Sequence, residues 1–330
     1  MSDNVKLSDA IVTLPTAPAA AQLANLADQA TAYAEAATSE NTRRAYKAAW
    51  ADFTSWCADR QLCPLPATDS TVGLFLADRA ATMKMASLRM RLAAISMAHK
   101  AKGYRLDTKA PQIAAVMRGI ARTHGSAVAK KEAATLDVVR DAVRALAKEE
   151  GIKALRDCAI LLLGFDAALR RSEIAAIEIE DLHFTGEGLL LTLPRRKTDQ
   201  EGQGTDIGVP FGRDQQYCPV AAVRALIDAG NLATGALFHS VSRGGKLKAP
   251  RMTDRDVARA IQAAVALAGY DAASFGGHSL RSGFATTAGR AGVPERIIMQ
   301  QTGHKSLPVL RGYIRRGSLF TENAAAMIGL

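Results

Sequence analysis

The stretch from residue 277 to residue 316 holds two histidines, one tyrosine and several arginines, in an order that points to chemistry on a phosphodiester. His278 and Arg281 are three residues apart, so a helix would present both on one face. His304 follows a glycine typical of a helix end, and Tyr313 lies near the end of a short last helix. The pattern predicts a site in which basic side chains hold a phosphate beside a tyrosine nucleophile.

The bulk composition is compatible with such a site on a nucleic acid. The chain has 330 residues, enough for two domains with cores of their own. Its formal net charge of +10 favours a polyanionic partner, with nucleic acid as the first candidate, although many basic proteins bind none.

Other classes of site find little support in the sequence. The four cysteines show no C-x-x-C spacing and the six histidines are scattered, so we predict neither a metal site nor a cofactor. We interpret the cysteines as reduced, buried thiols of a cytoplasmic protein. The N-terminus does not resemble a signal peptide, and no apolar run reaches the ~20 residues of a membrane span.

The hydrophobic periodicity divides the chain into four segments. Residues 1–38 predict a flexible tail with a candidate docking helix, and residues 39–122 predict short amphipathic helices that form an all-α domain. Residues 123–134 have little apolar content and predict a basic linker. Residues 135–330 combine helices with three candidate strands, at 177–184, 188–193 and 207–211, and end in a tail helix at 318–330.

Four separated motifs coincide with one family. They are LRRSEI around Arg170, RRKT with Lys197 on a hairpin loop, GHSLR from Gly277, and GH followed by Tyr313. In this order and spacing the chain resembles the tyrosine site-specific recombinases, or phage-type integrases. It looks most like the Cre-type members. It differs from them at His304, where they have tryptophan and most of the wider family has histidine.

The resemblance implies a fold and a reaction. The fold is mainly α: an all-α core-binding (SAM-like) domain that clamps DNA, and an α+β catalytic domain with a small antiparallel sheet, the DNA breaking-rejoining fold. The reaction is a transesterification, independent of metal and ATP, in which tyrosine attacks a DNA phosphate and forms a 3′-phosphotyrosine bond.

The resemblance also assigns roles to individual residues. Arg170 and Arg281 would hold the non-bridging oxygens, and Tyr313 would be the nucleophile. His278 would be the general acid/base, because its ordinary titration range suits that task. The remaining assigned residues are His304 as a hydrogen-bond donor to the phosphate, Lys197 as general acid for the leaving oxygen, and Glu173 as the acidic residue that orients a cation.

Contacts to DNA outside the catalytic site are expected from two helices of the clamp domain. Most of them should reach phosphates, which position the protein without specifying sequence. The residues that the resemblance assigns to this surface are Arg43, Arg44, Lys47, Lys84, Ser87, Arg89 and Arg91.

Members of the family assemble as a tetramer on two inverted-repeat sites and exchange strands through a Holliday junction. We expect the same assembly here, with the tail of residues 318–330 docked on a neighbouring subunit. Two other classes stay open: a type IB topoisomerase-like enzyme that relaxes DNA, and a sequence-specific DNA-binding protein with an inactive site.

Overall fold

The computed structural model describes residues 38–125, 131–194 and 204–317, with isolated positions between 22 and 33 and at 325 and 328. The chain divides into two compact units, Met1–Ala129 and Lys130–Leu330. Most described residues of both units are helical, as the sequence predicts. Residues 1–21 and most of the tail from 318 lie outside the described residues.

Within residues 38–125, the first unit contains four helices: α1 (Glu40–Ala58), α2 (Asp69–Ala80), α3 (Met85–Ala101) and α4 (Pro111–His124). The hydroxyls of Ser39 and Thr68 accept backbone N–H groups at the starts of α1 and α2. The apolar faces meet around Phe53 and Phe75, whose ring centroids are 5.0 Å apart in an edge-to-face arrangement. This core leaves the polar faces of α1 and α3 at the surface of the unit.

The described part of the candidate docking helix belongs to this first unit. Its described positions between 22 and 33 are helical, and the side chains of Leu23, Leu26 and Tyr33 are exposed.

The second unit is built from eight helices and two small sheets among its described residues. The helices are α5 (Leu136–Leu146), α6 (Ile152–Asp166), α7 (Arg171–Ala176), α8 (Pro219–Gly230), α9 (Asp254–Leu267), α10 (Ser279–Arg290), α11 (Glu295–Thr302) and α12 (Leu307–Gly317). The strands are β1 (Leu182–Phe184), β2 (Gly188–Leu193), β3 (Thr205–Pro210), β4 (His239–Val241) and β5 (Leu247–Arg251).

Helix α6 lies at the centre of this unit. Its Ile160, Leu161 and Leu163 are almost fully buried, which is typical of a helix that is apolar on all sides. Because α6 ends at Asp166, shortly before Arg170, the packed helix fixes where the LRRSEI motif lies.

Strands β1, β2 and β3 form an antiparallel sheet in that order. The first strand is shorter than predicted, because residues 179–181 form a turn of 3₁₀ helix before it. The Asp181 carboxylate accepts the backbone N–H of Glu178 at 2.9 Å and so stabilises that turn. The hairpin loop between β2 and β3, residues 195–203, includes Lys197 and lies outside the described residues.

The last three helices share a small core of their own. Ala285 and Ala288 of α10, Ile298 of α11 and Leu310 of α12 are buried together, and Tyr313 packs against them. Gly303 ends α11 with a left-handed backbone (φ 63°), which reverses the chain toward α12. The helix end predicted just before His304 and the short last helix predicted to carry Tyr313 are both confirmed.

Candidate active site

One cavity of about 340 Å³ in the second unit brings together residues from four separated segments. Five of the predicted catalytic residues line it: Arg170, His278, Arg281, His304 and Tyr313. Its remaining walls come from Lys131, Ala133, Ser279, Ser282 and Thr286. Basic side chains therefore surround a space next to a phenol, which is an arrangement able to hold an anion beside a nucleophile.

Arg170 is held by the carboxylate of Glu173. It occupies the N-cap position of α7, and its guanidinium Nη1 donates to Glu173 Oε1 at 2.5 Å. The other carboxylate oxygen accepts the backbone N–H of Arg170 at 2.8 Å. Glu173 is buried and makes both contacts, so it holds the guanidinium in place relative to the cavity.

Arg281 lies on the first turn of α10 and is buried. Its Nη1 donates to the carbonyl oxygen of Ala168 at 2.9 Å. Ala168 has a left-handed backbone conformation (φ 50°), which is uncommon for a residue with a Cβ atom. The turn after α6 therefore supplies a fixed carbonyl that orients the second arginine.

His278 precedes α10, and its carbonyl oxygen accepts the backbone N–H of Ser282 at 2.9 Å. Its side chain is exposed on the cavity wall. A Cβ atom on the preceding residue, Gly277, would lie 2.1 Å from the Cδ atom of Arg171, so a larger residue there would require the arginine side chain to move. The backbone that carries the histidine thus lies close against Arg171.

His304 and Tyr313 face each other across the end of the cavity. Their ring centroids are 5.9 Å apart with an interplanar angle of 37°. Both side chains are half-buried, and Nδ1 of His304 lies 2.7 Å from the hydroxyl oxygen of Thr302. The tyrosine predicted as nucleophile is therefore next to a histidine as well as near two arginines.

Lys131 is a cavity residue that sequence reasoning missed. It belongs to the segment predicted as linker, yet its ammonium group donates to the carbonyl oxygen of Ala273 and lines the cavity. Backbone hydrogen bonds fix the residues that follow: Glu132 N–H to Ser274 O at 2.7 Å and Ala134 N–H to Ser279 O at 2.9 Å. No local sequence pattern predicts these contacts, because the residues that accept the hydrogen bonds lie about 140 positions further along the chain.

Asp166, at the end of α6, is a second residue that the sequence did not single out. Burial raises the pKa of its carboxyl group to about 6. Its backbone carbonyl accepts the side-chain amide of Gln301 at 3.0 Å, so the end of α6 is tied to α11.

The predicted DNA-facing residues lie on α1 and α3 of the first unit, with Lys84 at the start of α3. Five of them are exposed and Ser87 is partly buried. Arg91, expected on the outside, instead has a side chain only 16% exposed, and its Nε donates to Asp52 at 2.7 Å. Burial would raise the pKa of that carboxyl, but hydrogen bonds from Arg79 and Arg91 lower it below its usual value.

No described helix is long and apolar enough to cross a membrane. Within the same residues, no group of three or more His, Cys, Asp and Glu side chains is placed to hold a metal ion.

The family model described as "Phage integrase family" matches residues 135–317, which include all the residues that line the cavity except Lys131 and Ala133. A curated relative, the integrase/recombinase xerD homolog of Selenomonas ruminantium, is 34% identical over 88% of this chain and 86% of its own length. The chain therefore belongs to the phage integrase family, whose members are tyrosine recombinases.

Recombinase Cre of Escherichia phage P1 is 26% identical over 84% of this chain and 85% of its own length. Since the xerD homolog is more identical, a particular likeness to Cre-type members stays a prediction.

Solved structures agree in fold. The XerH site-specific recombinase, in a post-cleavage complex with palindromic difH substrate, has a TM-score of 0.60 at 14% identity, covering 79% of this chain and 72% of its own. The Tn1549 transposon integrase bound to transposon right end DNA also has a TM-score of 0.60, at 13% identity, covering 84% and 89%. The predicted mainly α fold with a small antiparallel sheet is thus confirmed.

Proposed function

We propose that this chain is a site-specific DNA recombinase that cuts and rejoins DNA through a 3′-phosphotyrosine intermediate. The observation that carries the proposal is the single cavity shared by Arg170, His278, Arg281, His304 and Tyr313. These residues come from separated parts of the sequence, and their chemistry is that of phosphate binding next to a nucleophile.

The two arginines hold the scissile phosphate. Guanidinium groups meet two oxygens at once and stay protonated, so Arg170 and Arg281 stabilise the charge that grows on the non-bridging oxygens as phosphorus becomes five-coordinate. The contacts with Glu173 and the Ala168 carbonyl favour this use, because they fix both groups before DNA binds.

The transfer replaces one phosphodiester bond with another. The Tyr313 oxygen forms a bond to phosphorus while the bond from phosphorus to the 5′ oxygen breaks. His278 accepts the phenol proton, Lys197 donates a proton to the leaving 5′ oxygen, and His304 donates a hydrogen bond to the phosphate. The covalent intermediate retains the bond energy, so rejoining runs by the reverse steps.

The assembly we propose is a homotetramer on two inverted-repeat sites of double-stranded DNA, with a Holliday junction between the two rounds of exchange. The lambda integrase has been solved as a tetramer bound to a Holliday junction, and it shares the fold with a TM-score of 0.52. The tail of residues 318–330 would dock on the neighbouring subunit.

Covalent capture tests the proposal. The protein is mixed with fragmented DNA from its own host and denatured, and the DNA that stays attached is sequenced, with Tyr313→Phe alongside. Adducts at one inverted-repeat sequence, absent in the variant, are the expected result. Tyr270→Phe is the matched control, because Tyr270 donates to Asp141 and does not line the cavity.

Three other outcomes would contradict the proposal. Adducts that persist in Tyr313→Phe would exclude Tyr313 as the nucleophile. Adducts scattered over all sequences would indicate a DNA-relaxing enzyme. No adducts, even with paired inverted-repeat sites supplied, would indicate a DNA-binding protein without cleavage activity.

A further inference from the structure

The hydroxyl group of Thr302 has two partners, and one of them is in the candidate active site. Thr302 is the last residue of α11 and is fully buried. Its hydroxyl donates to the carbonyl oxygen of Ile298, one turn earlier, at 2.6 Å. The same oxygen lies 2.7 Å from Nδ1 of His304.

These two contacts determine which ring nitrogen of His304 carries hydrogen. A hydroxyl has one hydrogen, and the carbonyl oxygen of Ile298 has none to offer, so the hydroxyl hydrogen points to the carbonyl. The oxygen therefore presents a lone pair to Nδ1, and the short contact is favourable only when Nδ1 is protonated. The bond made by one imidazole nitrogen sets the protonation of the other.

We propose that Thr302 is a positioning residue that fixes His304 in its Nδ1–H form, so that Nε2 donates to the phosphate only when the ring is an imidazolium. This inference rests on the proposed function for the identity of the phosphate. A neutral ring in the Nδ1–H form presents a lone pair at Nε2, which repels an anionic oxygen. DNA cleavage therefore requires a protonated His304 and declines as that ring loses its proton.

The surroundings of His304 couple its charge to the arrival of DNA. The titratable and charged groups that share its cavity are Lys131, Arg170, His278, Arg281 and Tyr313. Several of them are cations, which disfavour another positive charge nearby, whereas a bound phosphodiester favours it. Protonation of the ring thus accompanies substrate binding, and Thr302 ensures that the added proton goes to Nε2.

The first test needs no DNA and reads the ring directly. Nitrogen-15 NMR of the histidine side chains, assigned by comparison with His304→Gln, distinguishes the two neutral forms at a pH where the ring is uncharged. We expect the Nδ1–H form in the native protein and in Thr302→Ser, which keeps the hydroxyl. Thr302→Val matches the shape of threonine without the hydroxyl and should populate the Nε2–H form. An Nε2–H ring in the native protein would overturn the proposal.

The second test measures single-turnover cleavage against pH. Thr302→Val should cleave roughly tenfold more slowly at the optimum, because the ring is less well oriented. Its alkaline decline should move to higher pH, since a neutral ring can then donate from Nε2. Thr302→Ser should keep the native profile, and the valine change should have no further effect on the profile of His304→Gln.

Identical profiles for Thr302→Val and Thr302→Ser would overturn the role in catalysis. Failure of this inference is distinguishable from failure of the proposed function. A protein that forms no adduct with DNA still reports the state of its His304 ring by NMR.

Discussion

The two arginines of the candidate site are oriented by different kinds of acceptor. Arg170 contacts a buried carboxylate, whereas Arg281 contacts a backbone carbonyl. A carboxylate beside a phosphate site repels the substrate unless its charge is used to hold a cation. Glu173 is therefore the group whose removal should most directly test whether orientation of Arg170 matters for cleavage.

We expect Glu173→Gln to cleave DNA at least about tenfold more slowly than the native protein. The amide keeps the size of the side chain but loses a charge-assisted hydrogen bond, which contributes ~1.5–3 kcal/mol, and about 1.4 kcal/mol corresponds to a tenfold change in rate. Single-turnover cleavage of a nicked inverted-repeat substrate measures the effect. Glu187→Gln, at an exposed position outside the cavity, is the control; equal rates for both variants would contradict the orienting role.

The sequence predicts those parts of the site that depend on short-range patterns of residues. The spacing of His278 and Arg281, the glycine before His304 and the helix start after Arg170 all act over a few residues. Lys131 falls in a stretch that predicts a linker because its apolar content is low, and only tertiary hydrogen bonds to residues 274 and 279 place that stretch at the cavity. The sequence predicts an exposed Arg91 because its partner, Asp52, is 39 positions away.

At the scale of elements, the close approach of residues 131–134 to α10 depends on one glycine. A Cβ atom on Gly283 would lie 1.8 Å from the carbonyl oxygen of Ala134, so no side chain fits between the two segments. Ala134 is fully buried at this contact. The segment that carries Lys131 is thus packed against the helix that carries Arg281.

We expect Gly283→Ala to destabilise the second unit by about 1–3 kcal/mol, the usual range for overpacking, and to lower cleavage by displacing Lys131. Urea denaturation and single-turnover cleavage measure the two effects. Gly312→Ala is the control for stability, because a Cβ atom there meets nothing within 4 Å and alanine favours a helix by ~1 kcal/mol over glycine. A Gly283→Ala protein with native stability would disprove the packing argument.

The stability of the second unit should depend on pH through the carboxyl group of Asp166, at the end of α6. Burial raises the pKa of its carboxyl from the ordinary 3.8 to about 6. The folded state therefore binds this proton more tightly than the unfolded state does. Stability should fall as the pH rises from about 4 to about 6, and above that range the full cost of a buried carboxylate is present.

Asp166→Asn removes that cost and should stabilise the protein by up to ~3 kcal/mol at pH 7.5 and by roughly half as much at pH 5. Urea denaturation at the two pH values measures the difference. Asp228→Asn, at an exposed position of α8, should change little at either pH. A gain that is the same at both pH values would mean that the carboxyl of Asp166 does not titrate in this range.

At the scale of the whole molecule, basic residues lie in both units of a chain whose formal net charge is +10. The cations of the cavity lie in the second unit, whereas the exposed basic residues of α1 and α3 lie in the first. If the exposed basic residues of the first unit bind DNA phosphates, they displace counterions, and the salt dependence of the affinity reports how many phosphates are neutralised. Arg89 and Arg91 lie two positions apart on α3 of the first unit, and they should differ in their contribution to this salt dependence.

Arg89 is exposed on α3, whereas Arg91 on the same helix pairs with Asp52. If the proposed surface binds phosphates, Arg89→Ala should reduce the slope of log affinity against log salt by about 0.9. Arg91→Ala should leave the slope unchanged and destabilise the first unit, because Asp52 would keep only Arg79 as its partner. Fluorescence anisotropy with duplex DNA at several salt concentrations measures both slopes. If both variants reduce the slope of log affinity against log salt equally, Arg91 leaves Asp52 to bind DNA. If neither variant changes that slope, the DNA-binding surface lies elsewhere.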